Sequence, residues 1–326
     1  MVLSPPAKDG PLIAVAGTRF GPPTVEEEIL SPLGPRLRLG MGADPDSLLE
    51  LCAEAEGVII GSIPTFTAEI IAQLKRCRIL ARGGVGVDNI DLEAARTKGI
   101  LVSYVPDYCV DEVSDHAMAL ILYFARKLEQ GIAEVEKGGW GIAALRPIAP
   151  LRGATLGVVG IGRIGATLTG KARAFGMRVI AHDPFAPESV FKEIHAENAA
   201  LSRIWEESDY ISLHAPLTPE TRGMVNAEVL DRMKADAVLI NVARGELVDE
   251  RALADALKRN AIRGAGLDVL EEEPPGPNHP LLALPNCRVT PHSAWYSTAA
   301  LEDMRRKAAA DVLRVLQGEE PRYPVG

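Results

Sequence analysis

No apolar run in this sequence is long enough to cross a bilayer; the longest, Ala117 to Ala125, falls well short of the roughly 20 residues a spanning helix needs. The opening MVLSPPAKDGPLI carries one lysine, two prolines and no apolar core, so no secretory leader is expected there. Cysteine is scarce. Cys52, Cys77, Cys109 and Cys287 form no CxxC and no zinc-like spacing with the six histidines, which predicts a reduced, cytoplasmic protein with no metal site. Basic charge is in deficit: 35 Lys and Arg against 44 Asp and Glu give a net charge of -9, which argues against nucleic acid or an anionic membrane as partner. Internal repeats, low-complexity segments and blocks of like charge are absent too. What is present is 326 residues at 47% apolar composition, enough to bury full cores in two domains.

The chain is organised around Leu156 to Gly165, LGVVGIGRIG. An apolar run that stops at a glycine cluster and continues as Arg163, Ile164, Ala166 and Leu168 reads as a buried parallel strand turning sharply into a helix. Each glycine has a task in a dinucleotide site. Gly160 makes the tight turn, Gly162 lets the backbone approach a pyrophosphate, and Gly165 presses the helix on the strand, whose first residues Arg163 and Ile164 offer unpaired N-H groups to the phosphates. A second apolar strand, Met177 to Ala181, leads to His182 and Asp183, 18 residues past Gly165, where such a site wants a carboxylate for the adenosine ribose. That acid repels a 2'-phosphate and no basic residue follows in Pro184, Phe185, Ala186 and Pro187, so NAD is favoured over NADP.

Residues 11 to 105 alternate apolar strands (Leu12 to Ala16, Gly57 to Ile60, Arg78 to Ala81, Ile100 to Val105) with amphipathic helices, the pattern of a parallel sheet covered on both faces. Thr24 with Glu27 reads as a capping box, Asp44-Pro45 as N-cap and first helical residue, and Thr67 and Asp91 as caps of the next two helices. One long helix is expected from Glu112 to about Lys137, stopped by Gly138-Gly139. After Asp183, strands near Tyr210 to His214, Ala237 to Asn241, Ala265 to Val269 and Cys287 to Thr290 make a second doubly wound sheet. Helical crossovers fit at Ala199 to Glu206, Asn226 to Met233 and Glu250 to Lys258. The final helix, Ala299 to Leu316, can return to the first domain, with hinges near Pro106 to Asp111 and Ala294 to Ala299.

Ligands of open parallel sheets sit beyond the carboxyl ends of the strands. Three strand ends of the second sheet carry chemistry: Arg244, the run Glu271-Glu272-Glu273, and His292. Histidine suits the proton transfer of alcohol oxidation, a carboxylate on its other ring nitrogen fixes the tautomer and favours the imidazolium, and arginine offers a planar fork to a substrate carboxylate. Singly, each has a plainer meaning: a surface charge, a solvated loop, a strand-end cap. Asp268 is open to two readings, holding a nicotinamide carboxamide or serving as a structural strand-end acid. Thr221 is likewise either a hydroxyl donor to phosphate or part of an ordinary proline-bounded turn.

Taken together, the motifs resemble the D-isomer-specific 2-hydroxyacid dehydrogenases in order and spacing from about residue 57 to 317. They are Arg82-Gly83-Gly84-Val85-Gly86-Val87-Asp88, Gly160 to Gly165, His214-Ala215-Pro216 through Thr221, Asn241-Val242-Ala243-Arg244-Gly245, Asp268 through Pro274, and Thr290-Pro291-His292. The resemblance implies an NAD(H)-dependent interconversion of 2-keto and D-2-hydroxy acids. It implies Arg244 on substrate, His292 as acid/base, and Glu273, five residues past Asp268, paired with it. Cofactor contacts are implied from Gly160, Gly162, Arg163, Ile164, Gly165, Asp183, His214, Ala215, Pro216, Thr221, Asn241, Val242, Ala243 and Asp268. Backbone amides of Val85 and Gly86 are implied for the substrate carboxylate, and a homodimer joined through the long helix. Arg82 and Tyr104 to Glu112 look like the phosphoglycerate dehydrogenase and C-terminal-binding-protein branch. Pro291 to Ser297 is similar to the C-terminal-binding proteins, with Trp295 either lining the substrate pocket or packing a hinge. Gly61, where animal phosphoglycerate enzymes carry an arginine, and the end at Gly326 argue against phosphoglycerate, and Glu273 in place of glutamine argues against formate. The expected architecture is two doubly wound parallel-sheet α/β domains. A Rossmann NAD-binding domain (109-295) is inserted into a flavodoxin-like substrate domain (1-108 and 296-326). The alternative is an NADH-sensing, partner-binding protein.

Overall fold

The computed structural model describes residues 10–17 and 21–325, so the leader question at residues 1–9 lies outside the described residues. The chain divides into two compact units, Met1–Cys109 with Ser297–Gly326, and Val110–Tyr296. Each lies one residue past the expected boundary: Cys109 joins the first unit and Tyr296 the second.

The first unit is a five-stranded parallel sheet of β1 (Leu12–Ala16), β2 (Arg36–Gly40), β3 (Gly57–Ile60), β4 (Ile79–Arg82) and β5 (Leu101–Tyr104), in the flavodoxin-like order β2-β1-β3-β4-β5. The two-residue period of a strand divides β1 between two cores. Leu12, Ala14 and Ala16 face one that contains Leu48, Leu51, Ile70 and Ile71 of α2 (Pro45–Cys52) and α3 (Ala68–Gln73). Ile13 and Val15 face another built with Leu30 of α1 (Thr24–Leu30) and Ala308, Val312 and Val315 of the last helix. Asp44, Thr67 and Asp91 cap α2, α3 and α4 (Leu92–Thr97), each accepting a backbone amide with its side chain.

One local reading is corrected here and one strand is added. Thr24 does not cap α1. The ladder starts one residue earlier, with Glu27 N donating to Pro23 O, so Pro23 holds the cap position and no side chain caps it. Strand β2, with its Arg-Leu-Arg-Leu alternation and mostly exposed residues, is an edge strand that carries too little apolar signal to stand out.

The second unit starts with α5 (Val110–Arg126) and α6 (Leu128–Glu136). The single long helix expected here is broken at Lys127, whose φ of 50° lies in the left-handed region. Apolar spacing continues through the break because Leu128, Ile132 and Val135 form a stripe of their own, and no glycine or proline marks the joint. The sheet comprises β6 (Thr155–Val159), β7 (Arg178–His182), the short β8 (Glu197–Asn198), β9 (Tyr210–Leu213), β10 (Val238–Asn241), β11 (Gly264–Leu267) and β12 (Cys287–Val289). The strands are all parallel, in the order β12-β11-β10-β9-β6-β7-β8. The chain reverses direction across the sheet between β6 and β9, the crevice at which doubly wound sheets bind nucleotides. Helices α7 (Arg163–Ala174), α8 (Glu188–Glu193), α9 (Leu201–Glu207), α10 (Ala227–Arg232) and α11 (Glu250–Lys258) make the crossovers, and α12 (Thr298–Leu316) belongs to the first unit. Among the described residues no helix is long and apolar enough to cross a membrane.

Candidate active site

All five residues of β6 are buried, and the chain leaves it at Gly160 with φ 89°, a backbone that only glycine adopts without strain. A Cβ there would sit 2.8 Å from Ala215 N and His214 O. A Cβ at Gly165 would overlap the Gly160 carbonyl, so α7 can lie this close to the turn only with glycine. At Gly162 a Cβ would meet nothing within 4 Å. That glycine is not required by packing; it keeps open the space in front of the helix start, where it also serves as an N-cap without a side chain. Asp183, at the end of β7, accepts from Ile161 N (3.0 Å) through one oxygen and from Phe185 N (3.0 Å) through the other, which places its carboxylate against the glycine turn. These features fit a dinucleotide: an open cradle for pyrophosphate and an acid beside it.

His214 follows β9, its N-H on Val159 O (2.7 Å) and its Nε2 2.8 Å from Ser212 Oγ. Burial pushes its imidazole down to about 4. Thr221 is bonded within its own turn: its hydroxyl donates to Pro216 O (2.7 Å) and accepts from Thr218 N (2.8 Å). Asn241 is also occupied locally. Its side chain accepts from Ala243 N (3.1 Å) and donates to Arg244 O (2.8 Å), and these bonds shape the Val242-Ala243-Arg244 turn.

Of the three glutamates after β11, the structure brings Glu273 to the histidine. His292 Nδ1 lies 2.6 Å from Glu273 Oε2, and Leu270 N donates to Oε1 (3.0 Å). Burial pushes the Glu273 carboxyl up, but the hydrogen bond and charge of His292, the Leu270 amide and the positive field of Arg244 outweigh it, holding the group below its ordinary 4.5. His292 stands in a left-handed turn (φ 51°) with its amide on Asp268 O (2.8 Å). With Nδ1 engaged, Nε2 is the nitrogen left for chemistry. Glu273 thus meets His292 directly and feels Arg244 through its charge, while Arg244 Nη1 donates to Ala243 O (2.7 Å).

Asp268 is 1% exposed, and its carboxylate accepts from Thr290 Oγ1 (2.6 Å), Ser293 N (2.9 Å) and Ala294 N (2.8 Å). The acid thereby clamps the turn that carries His292. Trp295 packs edge-on against Tyr296, with ring centroids 5.6 Å apart. Sequence reasoning passed over His116. Its Nε2 is 3.0 Å from Thr290 Oγ1 and 3.7 Å from Asp268 Oδ1. Because the threonine proton goes to the carboxylate, the His116 ring donates. A polar residue on the buried face of α5, between Val113 and Leu120 at helical spacing, is the signal that could have found it.

In the first unit, Arg82 ends β4 and donates to Gly83 O. The loop after it is held by Asn89 Nδ2 on Gly61 O (3.1 Å) and Pro64 O (2.9 Å). Among the described residues the amides of Val85 and Gly86 have no backbone partner.

Residues 118–294 match the model of the D-isomer specific 2-hydroxyacid dehydrogenase NAD binding domain. The chain belongs to the D-isomer specific 2-hydroxyacid dehydrogenase family. The segment matched to this family's NAD-binding domain runs through the glycine turn, Asp183, Arg244, Glu273 and His292. The chain is 38% identical to a glyoxylate reductase of Korarchaeum cryptofilum over 84% of its own length and 83% of the relative's. It is 39% identical to a D-3-phosphoglycerate dehydrogenase of Methanocaldococcus jannaschii over 90% of its own length. The match spans only about half, 55%, of that enzyme. Among solved structures, the TT0316 protein of Thermus thermophilus superposes with a TM-score of 0.88 at 38% identity, covering 97% of this chain and all of that one.

Proposed function

We propose that the protein is an NAD-dependent dehydrogenase that interconverts a 2-keto acid and a D-2-hydroxy acid. The observation that carries this reading is the 2.6 Å contact between His292 and Glu273 on a sheet whose glycine turn leaves an open phosphate cradle. When bound, the nicotinamide ring supplies a hydride to the substrate's C2 or accepts one from it. Gly160 to Gly165 hold the pyrophosphate and Asp183 the ribose, an arrangement that disfavours a 2'-phosphate. In reduction, His292 Nε2-H gives its proton to the keto oxygen as that oxygen gains charge; in oxidation the bare Nε2 removes the hydroxyl proton. Glu273, kept ionised, holds the proton on Nδ1 and stabilises the imidazolium. Arg244 and, in the first unit, the Val85 and Gly86 amides are assigned to the substrate carboxylate and keto oxygen, with Arg82 and Trp295 as further substrate residues. Asp268, Asn241 and Thr221 act by shaping the turns around the cofactor.

Relatives named D-3-phosphoglycerate dehydrogenase are matched over only about half their length (55% for that of Methanocaldococcus jannaschii). A glyoxylate reductase and a hydroxypyruvate reductase are matched over 83% and 81% of theirs, and on that ground we assign a small 2-keto acid of the glyoxylate or hydroxypyruvate kind as substrate. We also assign a homodimer, because Leu128, Ile132 and Val135 on α6, with Trp140 and Ile142 after it, leave a large apolar face exposed. A reduced cytoplasmic setting fits the four free cysteines. The direct test is a panel of 2-keto acids with NADH, followed by absorbance. His292→Ala should lower kcat by about 10²- to 10⁴-fold while NADH affinity stays within a few fold. Equal loss of both would refute the assigned role.

A further inference from the structure

Between β11 and β12 runs a stretch with no helix or strand, and residues 271–274 within it are exposed. Glu273 sits on this stretch. Its bonds to Leu270 N and His292 orient the carboxylate once the chain has delivered it, but they do not hold the chain. An exposed, irregular segment samples many conformations unless something outside it fixes it.

Beside the packing of Leu270 and Leu281 in the core and of Gly245 against the Leu270–Glu271 peptide, one largely buried carboxylate supplies a hold on both sides of Glu273. Glu250, the first residue of α11, is 11% exposed at its side chain. Its Oε1 accepts the amide of Glu271 (2.8 Å) and its Oε2 meets Nε2 of His279 (2.9 Å), a ring itself only 12% exposed. A carboxylate can only accept, so His279 Nε2 carries the hydrogen. One acid thus grips the same stretch on either side of Glu273, at Glu271 and at His279, from a helix whose Leu253, Ala254 and Leu257 are packed in the core.

We propose that Glu250 is a positioning residue for proton transfer: by holding Glu271 and His279 it fixes where Glu273 meets His292. This inference rests on the reading of Glu273 and His292 as the acid/base pair, and it adds a residue to that reading. Glu250 touches neither member of the pair through its side chain, and its effect passes through the backbone.

The test is a double-mutant cycle on the full chain, with kcat, NADH affinity and melting temperature measured for each variant. Glu250→Ala is expected to lower kcat by tenfold or more, as a displacement of about 1 Å in a reacting group does, with NADH affinity within twofold. Glu250→Gln, which keeps an acceptor for the Glu271 amide, should retain most of the activity. In a Glu273→Gln background Glu250→Ala should cost less than a further twofold, because the group it positions is gone. The same fold-loss in both backgrounds, or an unchanged kcat in Glu250→Ala, overturns the inference alone. An unchanged kcat in Glu273→Gln overturns the acid/base reading and the inference with it. Should Glu250→Ala fail to fold, His279→Ala releases only the far grip and must show the same background dependence at smaller size; without that dependence the inference falls.

Discussion

His214 provides a test that needs neither substrate nor cofactor. Its imidazole is held neutral by burial, at about 4 instead of the ordinary 6.5. The unfolded chain therefore takes up the proton first as pH falls. Because the folded value is the lower one, stability is lost from about pH 6.5 downward and the loss is complete below about 4. At about 1.4 kcal/mol per pH unit, the loss by pH 5 is about 2 kcal/mol, and water at the outer edge of this partly exposed ring reduces it to roughly 1–2 kcal/mol. For a unit of this size that is about 2–8 °C of melting temperature. The comparison is between the parent and His214→Gln, which can still bond Ser212 but cannot titrate, each melted at pH 7.5 and at pH 5. Every other titrating group contributes equally to both, so the difference of the two acid losses reports His214. The parent should lose about 2–8 °C more than the variant. Acid losses that agree within about 1 °C would refute the burial argument.

The glycine turn separates packing from ligand approach. Gly162→Ala, whose Cβ meets nothing within 4 Å, should lose no more than the roughly 1 kcal/mol that alanine costs at an N-cap, yet bind NADH at least tenfold more weakly. Gly165→Ala, whose Cβ overlaps the Gly160 carbonyl, should lose stability by about 1–3 kcal/mol together with binding; a Gly162→Ala protein with parental affinity would count against the cradle. Sedimentation should show a dimer for the parent, and Ile132→Glu, at a residue 59% exposed on α6, should shift it to monomer. A monomeric parent would remove the apolar face from the argument.

The parts of the fold that read well from sequence are those governed by local rules. Buried strands of β-branched and aliphatic residues, and caps such as Asp44, Thr67 and Asp91, carry their own signals. The break at Lys127 does not, because a lysine in the left-handed region looks like any helical lysine in the sequence. Nor does β2, whose alternating arginines match its place at the sheet edge better than any strand pattern. At the site, the three strand-end groups were legible as candidates because parallel topology brings such ends together. The residue types alone leave three glutamates open; the family's five-residue spacing from Asp268 singles out Glu273, and the fold delivers it through Gly245 lying against the Leu270–Glu271 peptide and Glu250 beside the stretch. The contact of His116 with Thr290 joins side chains 174 residues apart, and that of Thr290 with Asp268 spans 22, so neither shows in a local window.

The return of α12 to the first unit sets an order for synthesis. When the ribosome has made residue 296, the second sheet already has every strand and crossover it needs. The first sheet at that moment still presents Ile13, Val15, Ile59 and Ile79 to water, because Ala308, Val312 and Val315 have yet to emerge. The earliest strands to leave the tunnel are thus among the last to be covered, and the time spent translating the insert is the time during which a chaperone, or another nascent chain, can reach them.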